Sequence, residues 1–295
     1  MIRNIEAKTI LQKVKFDNSK WFGIDYNMNL YKGCSHGCIY CDSRSDRYFI
    51  ENFDVVRYKQ NAVQILNNEL YRKHNTGVIG IGAMSDTYNP VEKKIELTKK
   101  SLELIARNHY GVSIDTKSDL ILRDIHILKE ITKNNSAIVK ITITTCNDEL
   151  SKIIEPNVAT SSKRFEVVKK LNDSGIFCGI LLTPMLPYIT DNPDDIRLFV
   201  KKAYLAKAKF IYCMYGMTMR DGQREYYYAN LATHFSNLVR LYKRQFGNAY
   251  VCDSPNKEVC KEILIHECNK YGILTNMEDI IRAYKKVPYE QLSLF

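Results

Sequence analysis

Six short runs of β-branched and aromatic residues follow one another along the chain, and helical patterns separate them. The runs cover residues 24–31, 78–82, 111–115, 138–145, 177–183 and 210–214. Between them, apolar residues recur at helical spacing, as Val63, Leu66 and Leu70 do. This alternation predicts an α/β fold of parallel βαβ units. Six units are too few for a closed eight-fold barrel, so we expect an open partial barrel or a doubly wound sheet.

The alternation stops after residue 214. Residues 224–246 are predicted to form one long helix that ends at Gly247, and residues 259–286 to form two helices separated near Gly272. The predicted organisation is an N-terminal segment (1–23), a barrel (24–222), a helical extension (223–290) and a short tail (291–295).

Composition narrows the class of protein. The 295 residues are 45% hydrophobic and 26% charged, which is typical of a soluble globular protein. The first 16 residues lack the apolar core of a secretory signal, and Pro184 and Pro187 interrupt the apolar stretch at 176–189. Nine cysteines are too few for a disulfide scaffold. We therefore expect a cytoplasmic protein without a membrane segment, whose cysteines are reduced or bound to metal.

The net charge favours a polyanionic partner. Lys and Arg number 43 against 33 Asp and Glu, a formal charge of +10. Such a surface attracts nucleic acid above all, although a bias in codon composition can produce the same excess.

A cysteine motif follows the first predicted strand. Cys34, Cys38 and Cys41 are spaced C-x3-C-x2-C, and Gly33 and Gly37 allow the loop to curl tightly. Three thiolates can bind three irons of a 4Fe–4S cluster and leave the fourth iron open to another ligand. A structural zinc site that adds the neighbouring histidine, residue 36, is the alternative. In a βα fold this loop lies at the carboxyl ends of the strands, where ligands bind.

This motif resembles the signature of the radical S-adenosylmethionine (radical SAM) superfamily, and Tyr40 matches the aromatic residue usual before the third cysteine. Further stretches resemble the spore-photoproduct-lyase-like branch, often called DNA repair photolyases. They are GAMSDTYNP (82–90), DTKSDLILRD (115–124), TITTCNDEL (142–150), IEPNVATSSKR (154–164), TPMLPYITD (183–191) and MRDGQREYYY (219–228). The resemblance implies a partial (βα)6 TIM-type barrel with a C-terminal helical extension.

The resemblance also implies two cofactors, a 4Fe–4S cluster and S-adenosylmethionine, and a one-electron donor of the flavodoxin or ferredoxin type. Ser85, Lys117 and Thr142 match positions that bind S-adenosylmethionine in this branch, where Thr142 is usually a serine. Tyr40 is expected near the cofactor. Arg164 either contacts its methionine end or forms an ion pair with Glu155.

One position departs from the branch. In spore photoproduct lyases a cysteine precedes the serine of the second strand and returns hydrogen to the substrate radical, and here that residue is Met84. Cys146 and Cys213 could replace it only if they face the cavity. The leading hypothesis is a radical SAM enzyme that acts on nucleic acid. The alternatives are a protein or small-molecule substrate, or a non-catalytic iron–sulfur protein associated with DNA or with the replication sliding clamp.

The chain ends in QLSLF, which resembles the peptide by which bacterial repair proteins bind the replication sliding clamp. Gln291 would occupy a polar subsite. The apolar contact would come from Leu294 and Phe295, and Leu292 lies between them and the glutamine. The alternative is a terminus packed on its own domain. A sliding clamp is therefore the second expected partner.

Overall fold

The computed structural model describes residues 3–17, 19–73 and 76–286. Its main sheet contains six parallel strands and one antiparallel edge strand, in the order β10-β9-β8-β7-β6-β3-β2. The parallel strands are β3 (Tyr26–Met28), β6 (Val78–Ile81), β7 (Gly111–Thr116), β8 (Ala137–Thr142), β9 (Phe177–Leu182) and β10 (Ile211–Cys213). Each lies within one of the six predicted runs or extends it by one residue. The sequence reasoning missed β2 (Leu11–Lys13), which pairs antiparallel with β3 in the N-terminal segment.

Six short strands of the described residues lie outside the six parallel ones. Besides β2, they are β1 (Arg3–Ile5), β4 (Tyr31–Lys32), β5 (Arg57–Lys59), β11 (Gly216–Thr218) and β12 (Val251–Asp253). Strands β1, β5 and β4 form a small sheet beside the cysteine loop, and β11 pairs antiparallel with β12.

Eleven α-helices occur in the part of the chain that the structure describes. They are α1 (Ala62–Arg72), α2 (Glu92–Ile95), α3 (Leu97–Arg107), α4 (Ile125–Asn134), α5 (Asp148–Ile154), α6 (Ser161–Asp173), α7 (Pro193–Leu205), α8 (Gln223–His234), α9 (Ser236–Phe246), α10 (Lys257–Tyr271) and α11 (Met277–Tyr284). None of the described helices is long and apolar enough to cross a membrane.

The two faces of the main sheet differ because side chains alternate along each strand. In β8, Val139 and Ile141 belong to the large apolar core that also contains side chains of the outer helices. Lys140 and Thr142 lie on the opposite face, toward the interior of the sheet. The interior of the described sheet is therefore partly polar, which suits a binding site better than a solid core.

An aromatic layer closes the floor of this interior. Phe22 is fully buried in a single 3-10 turn, and its ring centroid lies 5.6 Å from that of Phe210. The hydroxyl of Tyr284 on α11 donates a hydrogen bond to the Phe22 carbonyl. Ligands must therefore approach from the other end, at the carboxyl ends of the strands.

The C-terminal region corrects two predictions. The long helix predicted at 224–246 is wrong, because the chain leaves helical geometry at Phe235 (φ −140°) and turns back. A continuous helix would separate residues 227 and 242 by about 22 Å, whereas the hydroxyls of Tyr227 and Tyr242 lie 3.0 Å apart. The extension is also not wholly helical, since it contains β12. The two helices predicted at 259–286 are present as α10 and α11.

Candidate active site

A cavity of about 90 Å³ lies at the carboxyl ends of the parallel strands and brings six predicted residues together. These are Cys34, Cys38, Cys41, Ser85, Lys117 and Thr142. The cavity is also lined by residues that the sequence did not assign to it, namely His36, Ser43, Gly82, Ala83, Asp86, Asp115 and Thr116, and by Met84.

The cysteine loop is held mainly by backbone contacts. Gly33 and Gly37 adopt positive φ values of 81° and 72°. A Cβ at Gly33 would lie 2.6 Å from the Phe53 carbonyl oxygen, so no larger residue fits there. The amide of Cys34 donates to the same oxygen at 2.9 Å, and the amide of Ile39 donates to the Ile154 carbonyl at 3.0 Å. These backbone hydrogen bonds fix the loop that carries the thiols, and they do not involve the sulfur atoms.

The three thiols are largely withdrawn from water. Burial raises the pKa of Cys34 to about 12, and burial also raises the pKa values of Cys38 and Cys41. Lys117 opposes the shift at Cys38 and Cys41 because its positive charge favours the thiolate. Since the thiolate is the form that binds metal, the lysine makes the pocket more suitable for a metal centre.

Lys117 follows β7 and is half-buried among acidic groups. Burial alone would lower the pKa of its ammonium, but Cys38, Glu155 and Asp86 outweigh that effect and the pKa is raised. No described residue accepts a hydrogen bond from its Nζ atom or pairs with it as an ion. Its Nζ atom lies 5.7 Å from the centre of the Tyr40 ring. A half-buried cation that no carboxylate of the described residues binds directly is suited to bind an anionic ligand group.

The two predicted hydroxyl residues lie on separate strand ends. Ser85 follows β6, and its Oγ donates to the Gly33 carbonyl of the cysteine loop. It does not cap a helix, since α2 begins seven residues later at Glu92. Thr142 ends β8 on the interior face and is buried. Both hydroxyls line the same cavity as the thiols.

Asp86 is the site residue that sequence reasoning missed. Its carboxylate accepts hydrogen bonds from Thr116 Oγ1 at 2.7 Å and from the Lys117 amide at 2.8 Å. His36 Nδ1 lies 3.4 Å from the same carboxylate. Asp86 therefore joins the ends of β6 and β7 to the cysteine loop. The available signal was its place in the tripeptide MSD, directly after Ser85.

Tyr40 and Arg164 lie outside this cavity, around a buried carboxylate. The Tyr40 hydroxyl and the Arg164 guanidinium both donate to Glu155, and both charged side chains of the ion pair are fully buried. Arg164 also donates to the Thr142 carbonyl at 2.8 Å. Burial would raise the pKa of Glu155, but Arg164 and Lys117 hold it below its ordinary value. This placement favours the ion-pair alternative for Arg164 over direct contact with a cofactor.

A second ion pair lies beneath the cavity. Lys140 Nζ is 2.6 Å from Asp115 Oδ1, and the two residues face each other across β7 and β8. The lysine is almost completely buried, and its Nζ lies 4.4 Å from the centre of the Phe22 ring. The pair separates the polar cavity from the aromatic floor.

The alternative hydrogen donors do not reach the cavity. Met84 lines it, whereas Cys146 and Cys213 do not. Cys213 packs at the edge of the outer apolar core, and burial together with Cys260 and Cys268 raises the pKa of its thiol. Among the described residues that line the cavity, the only thiols are therefore the three of the motif.

The donor set of the cavity fits a cluster and a zwitterionic cofactor. Within the described residues, no group of three His, Cys, Asp or Glu side chains is arranged to hold a single metal ion. A 4Fe–4S cluster binds each thiolate through a different iron, so its ligands need not meet at one point. The closely packed glycine positions, the buried thiols and the unpaired Lys117 are consistent with such a ligand.

The chain is similar to known proteins in sequence and in fold. The sequence matches the Radical SAM superfamily over residues 28–200. An uncharacterized protein of Mycobacterium tuberculosis is 24% identical over 274 residues, which cover 90% of this chain and 80% of that protein. Spore photoproduct lyase, in a mutant with bound AdoMet and dinucleoside spore photoproduct, has a similar fold. The TM-score is 0.67 at 12% identity, over 92% of this chain and 79% of that one.

A second solved structure has the same barrel in a different enzyme. The radical S-adenosylmethionine methyltransferase TsrM from Kitasatospora setae, with tryptophan substrate and a SAM analog bound, has a TM-score of 0.56 at 11% identity. The match covers 86% of this chain and 54% of that one. The predicted partial barrel is therefore confirmed as a fold, and the lyase and the methyltransferase show that this fold carries different reactions.

Proposed function

The chain belongs to the radical SAM superfamily, and we propose that it uses the 4Fe–4S cluster and S-adenosylmethionine of that family to start a radical reaction on nucleic acid. When bound, the cluster and S-adenosylmethionine would supply a 5′-deoxyadenosyl radical, with methionine as the other product, after one electron arrives from a donor; that radical would take hydrogen from the substrate. The observation that carries the proposal is the single cavity that unites the three thiols with Ser85, Lys117 and Thr142.

Each residue of the cavity has a proposed role. Cys34, Cys38 and Cys41 would hold the cluster. Lys117 would pair with the carboxylate of S-adenosylmethionine, and Ser85 and Thr142 would offer hydroxyls to its amine and ribose. Met84 and the aromatic floor would exclude water from the reacting atoms.

Tyr40 and Arg164 behind the cavity, and Asp86 in its lining, would position these groups. Tyr40 and Arg164 both donate to the buried Glu155, and Arg164 also fixes the carbonyl of Thr142. Asp86 would hold the backbone of Lys117 by accepting the hydrogen bond that the Lys117 amide donates at 2.8 Å. Tyr40 and Arg164 would orient the groups that bind the cofactor, without touching it themselves.

Two observations support nucleic acid as the substrate. Spore photoproduct lyase, which shares this fold, has been solved with a dinucleoside photoproduct. The chain carries a formal charge of +10, and such a charge favours polyanions. Met84 argues for a reaction other than clean thymine-dimer repair, because a thioether has no S–H hydrogen to return. We therefore propose repair or modification of a base, and we expect slow turnover with by-products if the spore photoproduct is supplied.

A protein or small-molecule substrate is the second candidate. It is favoured by the methyltransferase of similar fold, whose structure holds tryptophan. A non-catalytic iron–sulfur protein is less consistent with the structure, because the thiol cavity is open and is lined by Ser85 and Lys117.

The function can be tested by anaerobic incubation of the reconstituted protein with S-adenosylmethionine and dithionite. The expected result is 5′-deoxyadenosine, formed faster when single-stranded or duplex DNA is present. No 5′-deoxyadenosine under any condition would contradict an active radical enzyme. Formation that DNA and RNA both leave unchanged would instead favour the protein or small-molecule substrate.

Two protein partners are also proposed. An electron donor of the flavodoxin or ferredoxin type would supply the electron that dithionite replaces in the test. The QLSLF tail, with Gln291, Leu292, Leu294 and Phe295, would bind a bacterial sliding clamp; it lies outside the described residues.

The clamp proposal is tested by titration with the sliding clamp. Short peptide motifs of this kind bind with micromolar affinity, about −8 kcal/mol. A chain that ends at Glu290, and the double change of Leu294 and Phe295 to Ala, should both lose most of the binding. Equal binding by the full chain and the shortened chain would contradict the proposal.

A further inference from the structure

A second, larger concavity lies where the two ends of the parallel sheet approach each other. It has a volume of about 680 Å³, and we call it the seam groove. It is lined by Asp46, Arg47, Phe49, Met219, Arg220, Asp221, Arg224, Glu225, Asn248 and Tyr250. None of these residues lines the thiol cavity.

The topology explains the position of the seam groove. Strands β3 and β10 are the first and the last of the six parallel strands, and they do not pair with each other. After β3 the chain passes through the cysteine loop to Asp46 and Phe49. After β10 it passes through β11 to Asp221. The amide of Asp46 donates to the Asp221 carbonyl at 3.1 Å. The groove therefore lies over the open side of the barrel.

The groove is joined directly to the cysteine loop. Asp42, the residue after Cys41, accepts a hydrogen bond from Thr218 Oγ1 at 3.1 Å and lies 3.3 Å from Arg220 Nε. Gln223 donates to the Tyr40 carbonyl at 2.9 Å. A ligand held in the groove would therefore contact Arg220, which is paired with the residue that follows the third cysteine.

Phe49 presents an apolar ring to solvent at the edge of the groove. Its side chain is 83% exposed, and its backbone is left-handed (φ 51°), a conformation unusual for a bulky residue. The amide of Phe49 donates to the Asp46 carbonyl at 3.0 Å, which fixes the direction of this turn. The left-handed backbone of a bulky residue, held by an ordered turn, makes the exposed Phe49 ring a candidate contact for a ligand.

A second aromatic platform lies in the same groove. Tyr250 is 47% exposed, and Arg220 donates to its hydroxyl at 2.6 Å. The Arg220 guanidinium also lies 4.8 Å from the centre of the Tyr250 ring and 5.8 Å from that of Tyr48. Aromatic rings alternating with arginines are the means by which proteins bind unpaired bases and the phosphates that join them.

Two of the three carboxylates of the groove, those of Asp221 and Glu225, are engaged within the protein, and Asp46 is exposed. Asp221 Oδ1 lies 3.2 Å from Arg224, and Glu225 accepts from the Gly222 amide at 2.6 Å. Arg224 also donates to three backbone carbonyls, so it is not free for a ligand. Arg47 is exposed and has no partner among the described residues. The groove therefore offers two rings and few free charges, which favours stacking over bulk phosphate attraction.

We propose that the seam groove binds unpaired nucleotides, with one base stacked on Phe49 and another on Tyr250. This inference rests on the proposed function and names the form of the substrate as a single strand, or a nucleotide extruded from a duplex. Enzymes that modify a base must take it out of the stack, and a stacking groove beside the reacting centre stabilises the extruded form.

The test measures binding by the full chain without cofactors, so it does not depend on catalysis. Fluorescence anisotropy is recorded with labelled single-stranded DNA, single-stranded RNA of the same sequence, and duplex DNA. Phe49→Ala should weaken single-strand binding about tenfold, while Phe49→Trp should retain it. Tyr71→Ala is the matched control, because Tyr71 is an 86% exposed ring on α1 and does not line the groove.

The outcomes separate this inference from the proposed function. If the wild type binds single strands and Phe49→Ala binds equally well, the groove is not the nucleotide site although the substrate class stands. If the wild type binds none of the three oligonucleotides, both the groove and the nucleic-acid substrate are contradicted. A preference for DNA or for RNA in the wild type identifies which single strand is the ligand.

Discussion

The thiol cavity and the seam groove are built in opposite ways, although they share the cysteine loop. The cavity is small, and backbone bonds, two glycines and buried ion pairs fix its side chains. The groove is several times larger and its binding rings are exposed. This difference is expected if one region carries out a chemical step that needs exact geometry and the other accepts a variable substrate.

The two regions also respond differently to substitution. In the cavity each group depends on its neighbours, because Lys117 lowers and Glu155 raises the pKa of the Cys38 thiol, and Asp86 raises that of Cys34. In the groove Phe49 contacts little else, so its removal should affect binding alone. Substitutions in the cavity should therefore abolish the cluster or destabilise the fold, whereas substitutions in the groove should only weaken substrate binding.

The largest expected effect is loss of the cluster. Cys34→Ala, Cys38→Ala or Cys41→Ala should each remove the iron–sulfur absorbance of anaerobically reconstituted protein, which should otherwise hold about four irons per chain. Cys178→Ala is the control, because Cys178 is buried in the outer core away from the cavity. A cluster that survives any one of the three changes would show that the ligand assignment is wrong.

The second effect concerns stability. Arg164→Met should lower the free energy of unfolding by about 3–5 kcal/mol, because it leaves the buried Glu155 without its partner. Urea denaturation measures this change. Lys169→Met provides the contrast, since its pair with Asp173 lies on the surface and should change stability little. Similar midpoints for the two variants would mean that the buried pair does not support the cavity.

The third effect concerns cofactor affinity. Lys117→Ala should weaken S-adenosylmethionine binding by about 1.5–3 kcal/mol, the usual range for a lost charge-assisted hydrogen bond. The cluster should remain, and calorimetric titration measures the affinity. Lys94→Ala is the control because Lys94 is an exposed lysine on α2. Unchanged affinity in Lys117→Ala would remove this residue from the cofactor site.

The sequence predicted the cavity better than the groove for a physical reason. Cys34, Ser85 and Lys117 follow parallel strands, and the carboxyl ends of such strands meet at one edge. The groove combines residues 46–49 with residues 219–250, and no period or motif links those segments. The break at Phe235 was missed for a similar reason, since the pairing of Tyr227 with Tyr242 is a tertiary contact. Asp86 was within reach, because it adjoins Ser85.

The smallest expected effect separates stacking from hydrogen bonding in the groove. Tyr250→Phe keeps the ring but removes the hydroxyl that accepts from Arg220 at 2.6 Å. Because a base would stack on the ring, single-strand affinity should fall by less than about threefold, whereas Tyr250→Ala should cost about tenfold. Anisotropy titrations of both variants measure the two values. If Tyr250→Phe lost as much affinity as Tyr250→Ala, the hydroxyl and its arginine would be the recognition element, and the groove would bind by polar contacts, as we propose for the cavity.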